Sequence, residues 1–148
     1  MPEQREKSIL KSEEEKNNFR EACKIAAEAV RLAVESVKVN KTTEDIDKVV
    51  HDYIVSQNAY PTPINYMGFP KSVCTSVNEG ILIFQAYFNL HRLVACHGIP
   101  NLRPLQNGDY LNIDVCCYYK GFHGDSSSMA LVGEVHPDIK NLVNISFN

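Results

Sequence analysis

Two stretches of helical spacing occupy the first third of the chain. Ser12 and Glu15 form an S-x-x-E capping box, a pattern that marks the start of a helix. Apolar side chains then recur every three or four residues, as along one face of a helix, at Phe19, Cys23, Ala26, Val30, Ala33 and Val37. We therefore predict an amphipathic helix that ends near residues 39–40, preceded by a flexible N-terminus at residues 1–11.

A second helix is predicted to begin at Thr42 or Thr43 and to stop near Asn58. Its apolar positions again follow helical spacing, at Ile46, Val49, Val50, Tyr53 and Ile54. Because both helices are amphipathic, both are expected to lie against a sheet. A last helix is expected to open at Pro137-Asp138, with three apolar residues facing inward, Ile139, Leu142 and Val143.

The segment Tyr60–Pro70 separates the two N-terminal helices from the strands. It contains three prolines and one glycine, which exclude a helix and a central strand. Its aromatic side chains, Tyr60, Tyr66 and Phe69, would be costly to expose together, so they either fill the core from a loop or line a pocket. The alternating residues of Lys71–Asn78 then predict a strand.

The pattern of Tyr110–Val132 predicts a β-hairpin. Apolar and β-branched residues fill both arms, and Lys120-Gly121 is the expected two-residue turn. In that register Asp114 faces Ser127, and Asp125 points to the same side as Asp114. Diagonal neighbours of this kind lie about 7–8 Å apart, close enough for two carboxylates to share one cation.

The two faces of this hairpin differ in polarity. One face of the first arm is mostly apolar and is predicted to be core, at Leu111, Ile113, Val115, Cys117 and Tyr119. The face with the two Asp residues also collects four further side chains, Asn112, Cys116, His123 and Ser127. A hairpin with one solvated polar face is the simpler interpretation of these residues, because antiparallel sheets commonly alternate in this way. His97 precedes Gly98 on a bend, and it is either a hydrogen-bonded structural residue or a group that reaches a cleft.

Composition and charge narrow the classes of function. At 148 residues, with 44% hydrophobic and 22% charged residues, the chain has the composition of one globular domain. The net charge of −3 and the absence of a basic block give no support to a nucleic-acid partner. The longest apolar-rich run, Gly80–Phe88, is too short to cross a membrane. Five cysteines without CxxC spacing, and an N-terminus without a secretory or transit pattern, predict a cytoplasmic protein with reduced thiols.

Three motifs carry a resemblance to a known family. Residues Tyr60–Glu79 read YPTPINYMGFPKSVCTSVNE, and Val94–Pro104 read VACHGIPNLRP. Gly108–Gly133 contain NID and GFHGD and lead into LVGEV at Leu131–Val135. The chain resembles a methionine aminopeptidase of the type I class, within the pita-bread metallopeptidase family. The resemblance implies an α+β fold, the N-terminal half of the pita-bread (creatinase/aminopeptidase) fold, in which an antiparallel sheet is covered by helices.

The resemblance also implies an activity and a set of site residues. The family removes the initiator methionine from nascent proteins with a small second residue, and its two divalent metal ions (Co, Mn, Fe or Zn) activate the attacking water. Asp114 and Asp125 match two of the metal ligands. His97 matches the catalytic histidine that contacts the substrate. Three residues match the lining of the methionine pocket, Tyr66, Phe69 and Cys74, although the family often has tyrosine where Phe69 stands.

Two departures from the family pattern shape the expectations for this chain. Gly80–Leu93 form an atypical insertion of 14 residues between two of the motifs. Only Asp114 and Asp125 of the family's five protein ligands are present, so residues 1–148 are expected to be a partial catalytic domain whose second half-domain is missing. Such a chain is expected to be inactive alone and to self-associate through its uncovered sheet face.

The partners follow from the same resemblance. The N-termini of nascent polypeptides are expected to be the substrates, and the ribosome is a candidate partner, whereas no nucleic acid and no membrane are expected. One alternative is a non-catalytic pita-bread-like module that binds nascent chains or a protein partner. Joint retention of His97, Asp114 and Asp125 disfavours it, because a binding module has no chemical need for that set.

Overall fold

The computed structural model describes residues 12–78 and 97–146. The expected flexible N-terminus at residues 1–11 and the insertion Gly80–Leu93 therefore lie outside the described residues. The helices are α1 (Glu13–Ser36), α2 (Thr43–Ser56) and α3 (Pro137–Ser146). The strands are β1 (Tyr60–Pro61), β2 (Cys74–Val77), β3 (Tyr110–Tyr119) and β4 (Phe122–Leu131), and a 3₁₀ turn covers Tyr66–Gly68.

Helix α1 begins with the predicted capping box. The Ser12 hydroxyl accepts a hydrogen bond from the Glu15 amide at 3.1 Å, and the Glu15 carboxylate accepts one from the Ser12 amide at 2.8 Å. The helix ends at Ser36, a few residues earlier than predicted, because Val37 already adopts an extended backbone conformation. Capping and chain direction therefore define both ends of this helix.

The buried stripe of α1 differs from the predicted one at its first turns. Six side chains are buried, and four of them are alanines: Ala22, Ile25, Ala26, Ala29, Val30 and Ala33. Phe19 is 40% exposed, so its prediction as part of the buried stripe was wrong. Its ring meets the edge of the Phe122 ring, with centroids 6.2 Å apart, next to the hairpin turn where the sheet ends.

Helix α2 begins at Thr43 with Thr42 as its N-cap, in agreement with the predicted start. The Thr42 side chain and Asp45 form a second capping box, and the buried residues include Ile46, Val50 and Ile54. The helix packs against α1 and against β1. Its apolar side chains complete the core between the two helices and the sheet.

Strand β3 lies in the middle of an antiparallel sheet. Strand β4 pairs along one side of it, while β1 and β2 pair with different parts of its other side. Lys120 and Gly121 both have positive φ angles, 45° and 93°, as a two-residue type I′ turn requires. The predicted hairpin and register are confirmed, because Asp114 lies opposite Ser127.

The helix-covered face of the sheet is built for close contact with α1. A Cβ atom added to Gly124 of β4 would lie 2.0 Å from the Ala22 carbonyl oxygen, so only glycine allows this approach. The Cys117 thiol donates to the same carbonyl oxygen at 3.4 Å. Four of the predicted core residues of β3 are fully buried: Leu111, Ile113, Val115 and Cys117. Tyr119, the fifth, is partly exposed and packs against the core.

Two predictions about apolar residues were only partly right. Pro61 belongs to a short edge strand and is buried, but Tyr60 and Tyr66 are 48% and 63% exposed, so the aromatic residues of this loop do not fill the core together. In α3, Ile139 is half-buried, whereas Leu142 is 63% exposed and does not face inward. Among the described residues, none of the helices combines the length and the apolar character needed to cross a membrane.

Candidate metal centre

The two carboxylates predicted from the hairpin pattern lie together on the face of the sheet opposite α1. Asp125 stands opposite Cys116, two residues along the ladder from the pair of Asp114 and Ser127, so the two Asp residues are diagonal neighbours on one face. Burial raises the pKa of Asp114, and the nearby negative charge of Asp125 raises it further. A carboxylate held beside a second negative charge favours a nearby cation, because the cation offsets the repulsion.

His97 lies close enough to Asp114 to act on it electrostatically, because its charge lowers the pKa of Asp114. Its neighbour Gly98 fixes the backbone beside β2. The Thr75 amide donates to the Gly98 carbonyl at 2.8 Å, and the Gly98 amide donates to the Ser76 hydroxyl at 3.2 Å. His97 is exposed, so its ring remains accessible to a ligand.

The three residues predicted to line the methionine pocket lie on two different elements, strand β2 and the loop that precedes it. Cys74 is 7% exposed and stands directly opposite Asp114 in the ladder between β2 and β3. Tyr66 is exposed on the 3₁₀ turn, and Phe69 ends that turn by donating its amide hydrogen to the Tyr66 carbonyl at 2.9 Å. The structure thus brings Cys74 to the carboxylates, while Tyr66 and Phe69 belong to the preceding loop.

Thr62 connects that loop to the hairpin, and the sequence offered no signal for it. Its amide donates to the Cys116 carbonyl at 3.0 Å, and its hydroxyl lies 3.0 Å from the Nδ1 atom of His123. Burial raises the pKa of the Cys116 thiol, and a hydrogen bond with Thr62 opposes that rise. The hairpin pattern had placed Cys116 and His123 on this face, but a loop residue such as Thr62 has no periodicity that could place it.

The donor set fits divalent ions in part. Carboxylates are hard anionic ligands, suited to the divalent ions that metallopeptidases use. Within residues 12–78 and 97–146, however, no group of three or more His, Cys, Asp or Glu side chains is arranged to hold a metal ion. Asp114 and Asp125 are therefore a pair of candidate ligands, and a complete metal centre would need more.

Most of the chain matches one protein family. Residues 17–147 match the model of metallopeptidase family M24. The chain belongs to this family. Its M24 relatives include the human protein "Methionine aminopeptidase 1D, mitochondrial", which is 47% identical over 137 residues. "Methionine aminopeptidase 1B, chloroplastic" from Arabidopsis thaliana is 46% identical over 128 residues.

A solved M24 structure confirms the fold. The crystal structure of methionine aminopeptidase from Rickettsia prowazekii superimposes with a TM-score of 0.80 and 40% sequence identity. The alignment covers 94% of this chain and 50% of that one. The predicted α+β pita-bread architecture, with helices on an antiparallel sheet, is therefore correct.

The M24 relatives are considerably longer than the matched region. The alignment with the human relative covers 93% of this chain and 37% of the relative, and that with the Arabidopsis relative covers 86% and 31%. The chain thus spans about a third of the length of these curated relatives, as the resemblance to an N-terminal half implied.

Proposed function

We propose that this chain carries part of the catalytic site of a methionine aminopeptidase, which removes the initiator methionine from nascent proteins with a small second residue. The observation that carries this proposal is the pair of Asp114 and Asp125, diagonal on one sheet face, with Asp114 within electrostatic reach of His97. The names of the M24 relatives support the substrate class.

Each site residue has a role in this proposal. Asp114 and Asp125 would hold divalent ions, with Co, Mn, Fe or Zn as the candidates, and such ions lower the pKa of a water molecule when bound. His97 would donate a hydrogen bond to the peptide group of the substrate and stabilise the negative charge that develops there. Three side chains would contact the methionine side chain, whose polarisable thioether suits aromatic and sulfur neighbours: Tyr66, Phe69 and Cys74.

We propose further that this chain does not catalyse the reaction alone. Two carboxylates cannot fix two closely spaced cations, and the described residues supply no third ligand beside Asp114 and Asp125. The remaining ligands, one His and two Glu by resemblance, would come from another part of a complete enzyme. The chain's own residues would then position the substrate and half of the metal centre.

A chimeric enzyme tests the function directly. Residues 12–146 replace the matching region of the Rickettsia prowazekii protein, and methionine release from Met-Ala-Ser is measured with Mn or Co. We expect release by the chimera and a loss of at least about 100-fold in Asp125→Asn, as expected when a metal ligand is removed from a catalytic site. The control, Asp138→Asn, changes an exposed carboxylate in α3 and should retain activity. A folded chimera that binds metal yet releases no methionine would contradict the proposal.

The isolated chain distinguishes the enzyme fragment from a binding module. We expect neither methionine release nor tight metal binding by calorimetry when the chain is incubated with Met-Gly-Met-Met and Mn. A module that binds nascent chains would instead bind this peptide without metal, and Asp114→Asn would leave its affinity unchanged. That result, together with an inactive chimera, would favour the non-catalytic alternative.

The substrates and the compartment are also proposals. We propose the N-termini of nascent polypeptides as substrates, the ribosome as a candidate partner and the cytoplasm as the compartment. Among the described residues, none of the cysteines forms a disulfide, which agrees with a reducing compartment. Two relatives are named mitochondrial or chloroplastic, so fluorescence microscopy of a tagged protein tests this proposal, and organelle import would contradict it.

A further inference from the structure

The loop between α2 and β2 is joined to the hairpin at Thr62. This residue uses both its backbone and its side chain: the amide donates to the Cys116 carbonyl, and the hydroxyl lies within hydrogen-bond distance of the His123 ring, each at 3.0 Å. Cys116 belongs to β3 and His123 to β4. One loop residue therefore contacts both strands that carry the carboxylate pair.

Beyond Thr62 the loop is held by its own backbone. The Asn65 amide donates to the Phe69 carbonyl at 2.8 Å, and the Tyr66 amide donates to the Pro63 carbonyl at 3.0 Å. Asn65 and Met67 both have positive φ angles, 65° and 50°. Residues other than glycine keep such conformations only where their surroundings enforce them. These hydrogen bonds hold the loop together, so its contacts with the hairpin decide where Tyr66 and Phe69 lie.

His123 is suited to hold this loop in register with the metal ligands. It lies two residues before Asp125 on the same face of β4, because successive side chains of a strand alternate. Its ring packs beside the ring of Tyr118, with centroids 5.1 Å apart, and Tyr118 stands opposite it in the ladder. The ring is thus oriented from one side by Tyr118 and contacts Thr62 through Nδ1.

We propose that Thr62 and His123 form a clamp that positions the loop carrying Tyr66 and Phe69 beside the pair of Asp114 and Asp125. The inference rests on the proposed function, since it treats this loop as one wall of the methionine pocket. The contact lies at an exposed position, where a hydrogen bond adds little to global stability. Its effect is therefore expected to be local, and Thr62 and His123 are positioning residues rather than catalytic ones.

Hydrogen exchange of the loop amides tests the clamp in the chain itself. Thr62→Val removes the hydroxyl while keeping the shape of the side chain, and His123→Leu removes the ring nitrogen. Each substitution should increase exchange at the amides of Asn65 and Phe69 by about tenfold, as expected for local opening. Exchange in β3 at Ile113 should stay unchanged.

Conservative variants and a control distinguish a loss of loop positioning from a general loss of stability. Thr62→Ser keeps the hydroxyl, and His123→Asn places a polar atom near the position of Nδ1, so both should restore loop protection. His136→Leu changes an exposed histidine outside this cluster and should leave the loop unaffected. The double variant Thr62→Val/His123→Leu should exchange no faster than Thr62→Val alone, because both substitutions remove the contact between Thr62 and His123.

The possible outcomes separate this inference from the proposed function. Unchanged loop exchange in Thr62→Val and His123→Leu would overturn the clamp, even if the chimeric enzyme were active. Faster exchange that Thr62→Ser fails to correct would also overturn it. If the clamp variants behave as expected while the chimera releases no methionine, the clamp stands and the proposed function fails. In an active chimera, Thr62→Val should raise KM about tenfold and leave kcat within about twofold, as expected for lost substrate positioning.

Discussion

Thr75 and Gly98 are joined by a hydrogen bond in which the Thr75 amide donates to the Gly98 carbonyl at 2.8 Å. The contact is so close that a Cβ atom on Gly98 would lie 2.0 Å from the Thr75 carbonyl oxygen. Since His97 immediately precedes Gly98, this contact determines where the histidine lies relative to Asp114. A glycine that touches no ligand thus controls the geometry of the candidate site.

Substitution of Gly98 should reduce activity more than substitution of a glycine in a strained turn. In Gly98→Ala the new methyl group overlaps the β2 backbone, so we expect a loss of about 1–3 kcal/mol in the free energy of unfolding. We also expect at least a tenfold loss of methionine release in the chimeric enzyme, on the order of that caused by a misplaced catalytic group. Chemical denaturation and kinetics measure the two effects.

The matched control is Gly121→Ala in the hairpin turn. Its φ angle of 93° makes alanine unfavourable, but no atom lies within 4 Å of the added Cβ. The variant should lose about 1 kcal/mol of stability from backbone strain and keep full activity in the chimera. Equal activity in Gly98→Ala and Gly121→Ala would contradict the role assigned to the Gly98 contact.

The packing of α1 on the sheet depends on a second close approach. In Gly124→Ala the new methyl group would lie 2.0 Å from the Ala22 carbonyl oxygen, and that oxygen belongs to a helix that cannot move without disturbing the core. We expect a loss of about 3 kcal/mol or more in the free energy of unfolding, at the upper end for overpacked cores. Thermal denaturation measures the loss. A near-wild-type melting temperature would show that α1 shifts at little cost.

The local pattern was sufficient to predict the hairpin and the carboxylate pair. Alternation of apolar residues and the Lys120-Gly121 turn determine the register, and the register alone places Asp114 and Asp125 on one face. The cap of α1 was predicted for the same reason, since a capping box uses residues only three positions apart.

Long-range contacts were not readable from these patterns. Thr62 meets His123 across 61 residues of sequence, and Thr43 meets Asn101 across 58. Neither contact has a periodicity, because each depends on how a loop folds over a strand. The exposure of Phe19 was missed for a related reason: helical spacing identifies a face but does not show where the sheet beneath it ends.

The two carboxylates should reduce stability when no metal is bound. Like charges that lie near each other on a sheet are destabilising, and the raised pKa of Asp114 reflects both its burial and this repulsion. We expect Asp114→Asn to be more stable than the unaltered chain by a few tenths to about 1 kcal/mol in the presence of a chelator. Urea denaturation at neutral pH measures the difference, with Ser127→Ala, directly opposite in the ladder, as the control.

The same substitution should have the reverse effect on metal affinity. In the chimeric enzyme, Asp114→Asn should lower the affinity for Mn at least tenfold. Substitutions of residues around a metal site typically lower metal affinity by about tenfold or more. Calorimetry measures this affinity. If Asp114→Asn were less stable without metal and bound Mn normally, Asp114 would be a structural residue.

Apolar side chains on the carboxylate face should promote self-association of the isolated chain. Tyr60 and Tyr118 are paired across β1 and β3 and are 48% and 42% exposed, while Met67 in the adjoining loop is 91% exposed. Exposed apolar groups that cluster favour association. We expect light scattering to show oligomers whose population rises with concentration and falls in Tyr118→Ser. Val55→Ser, at a residue 50% exposed in α2, is the control. A monomer with a cooperative thermal transition at all concentrations would exclude this association.

Asp109 should make the stability of the chain depend on acid pH. It is 6% exposed and accepts hydrogen bonds from the Asn78 side chain at 2.7 Å, the Gln106 amide at 2.9 Å and the Arg103 guanidinium at 3.1 Å. Burial by itself would raise the pKa of Asp109, but these hydrogen bonds and the Arg103 charge lower it overall. The network joins the end of β2 to the start of β3, because the Asn78 side chain also accepts from the Tyr110 amide.

Because the folded pKa of Asp109 lies below its unfolded value, its contribution to stability is complete above that unfolded value, about 3.9. The contribution is lost as the pH falls through the folded pKa. At neutral pH, Asp109→Asn should therefore cost about 1.5–3 kcal/mol, the range for hydrogen bonds to a charged group. The difference from the unaltered chain should shrink below about pH 4.

Urea denaturation from pH 3 to pH 8 measures this dependence, with Asp52→Asn as the matched control. Asp52 accepts a hydrogen bond from Lys48 on the exposed face of α2, so its substitution should change the free energy of unfolding by no more than about 0.5 kcal/mol. A difference between Asp109→Asn and the unaltered chain that stays constant down to pH 3 would show that the charge of Asp109 does not stabilise the junction of β2 and β3.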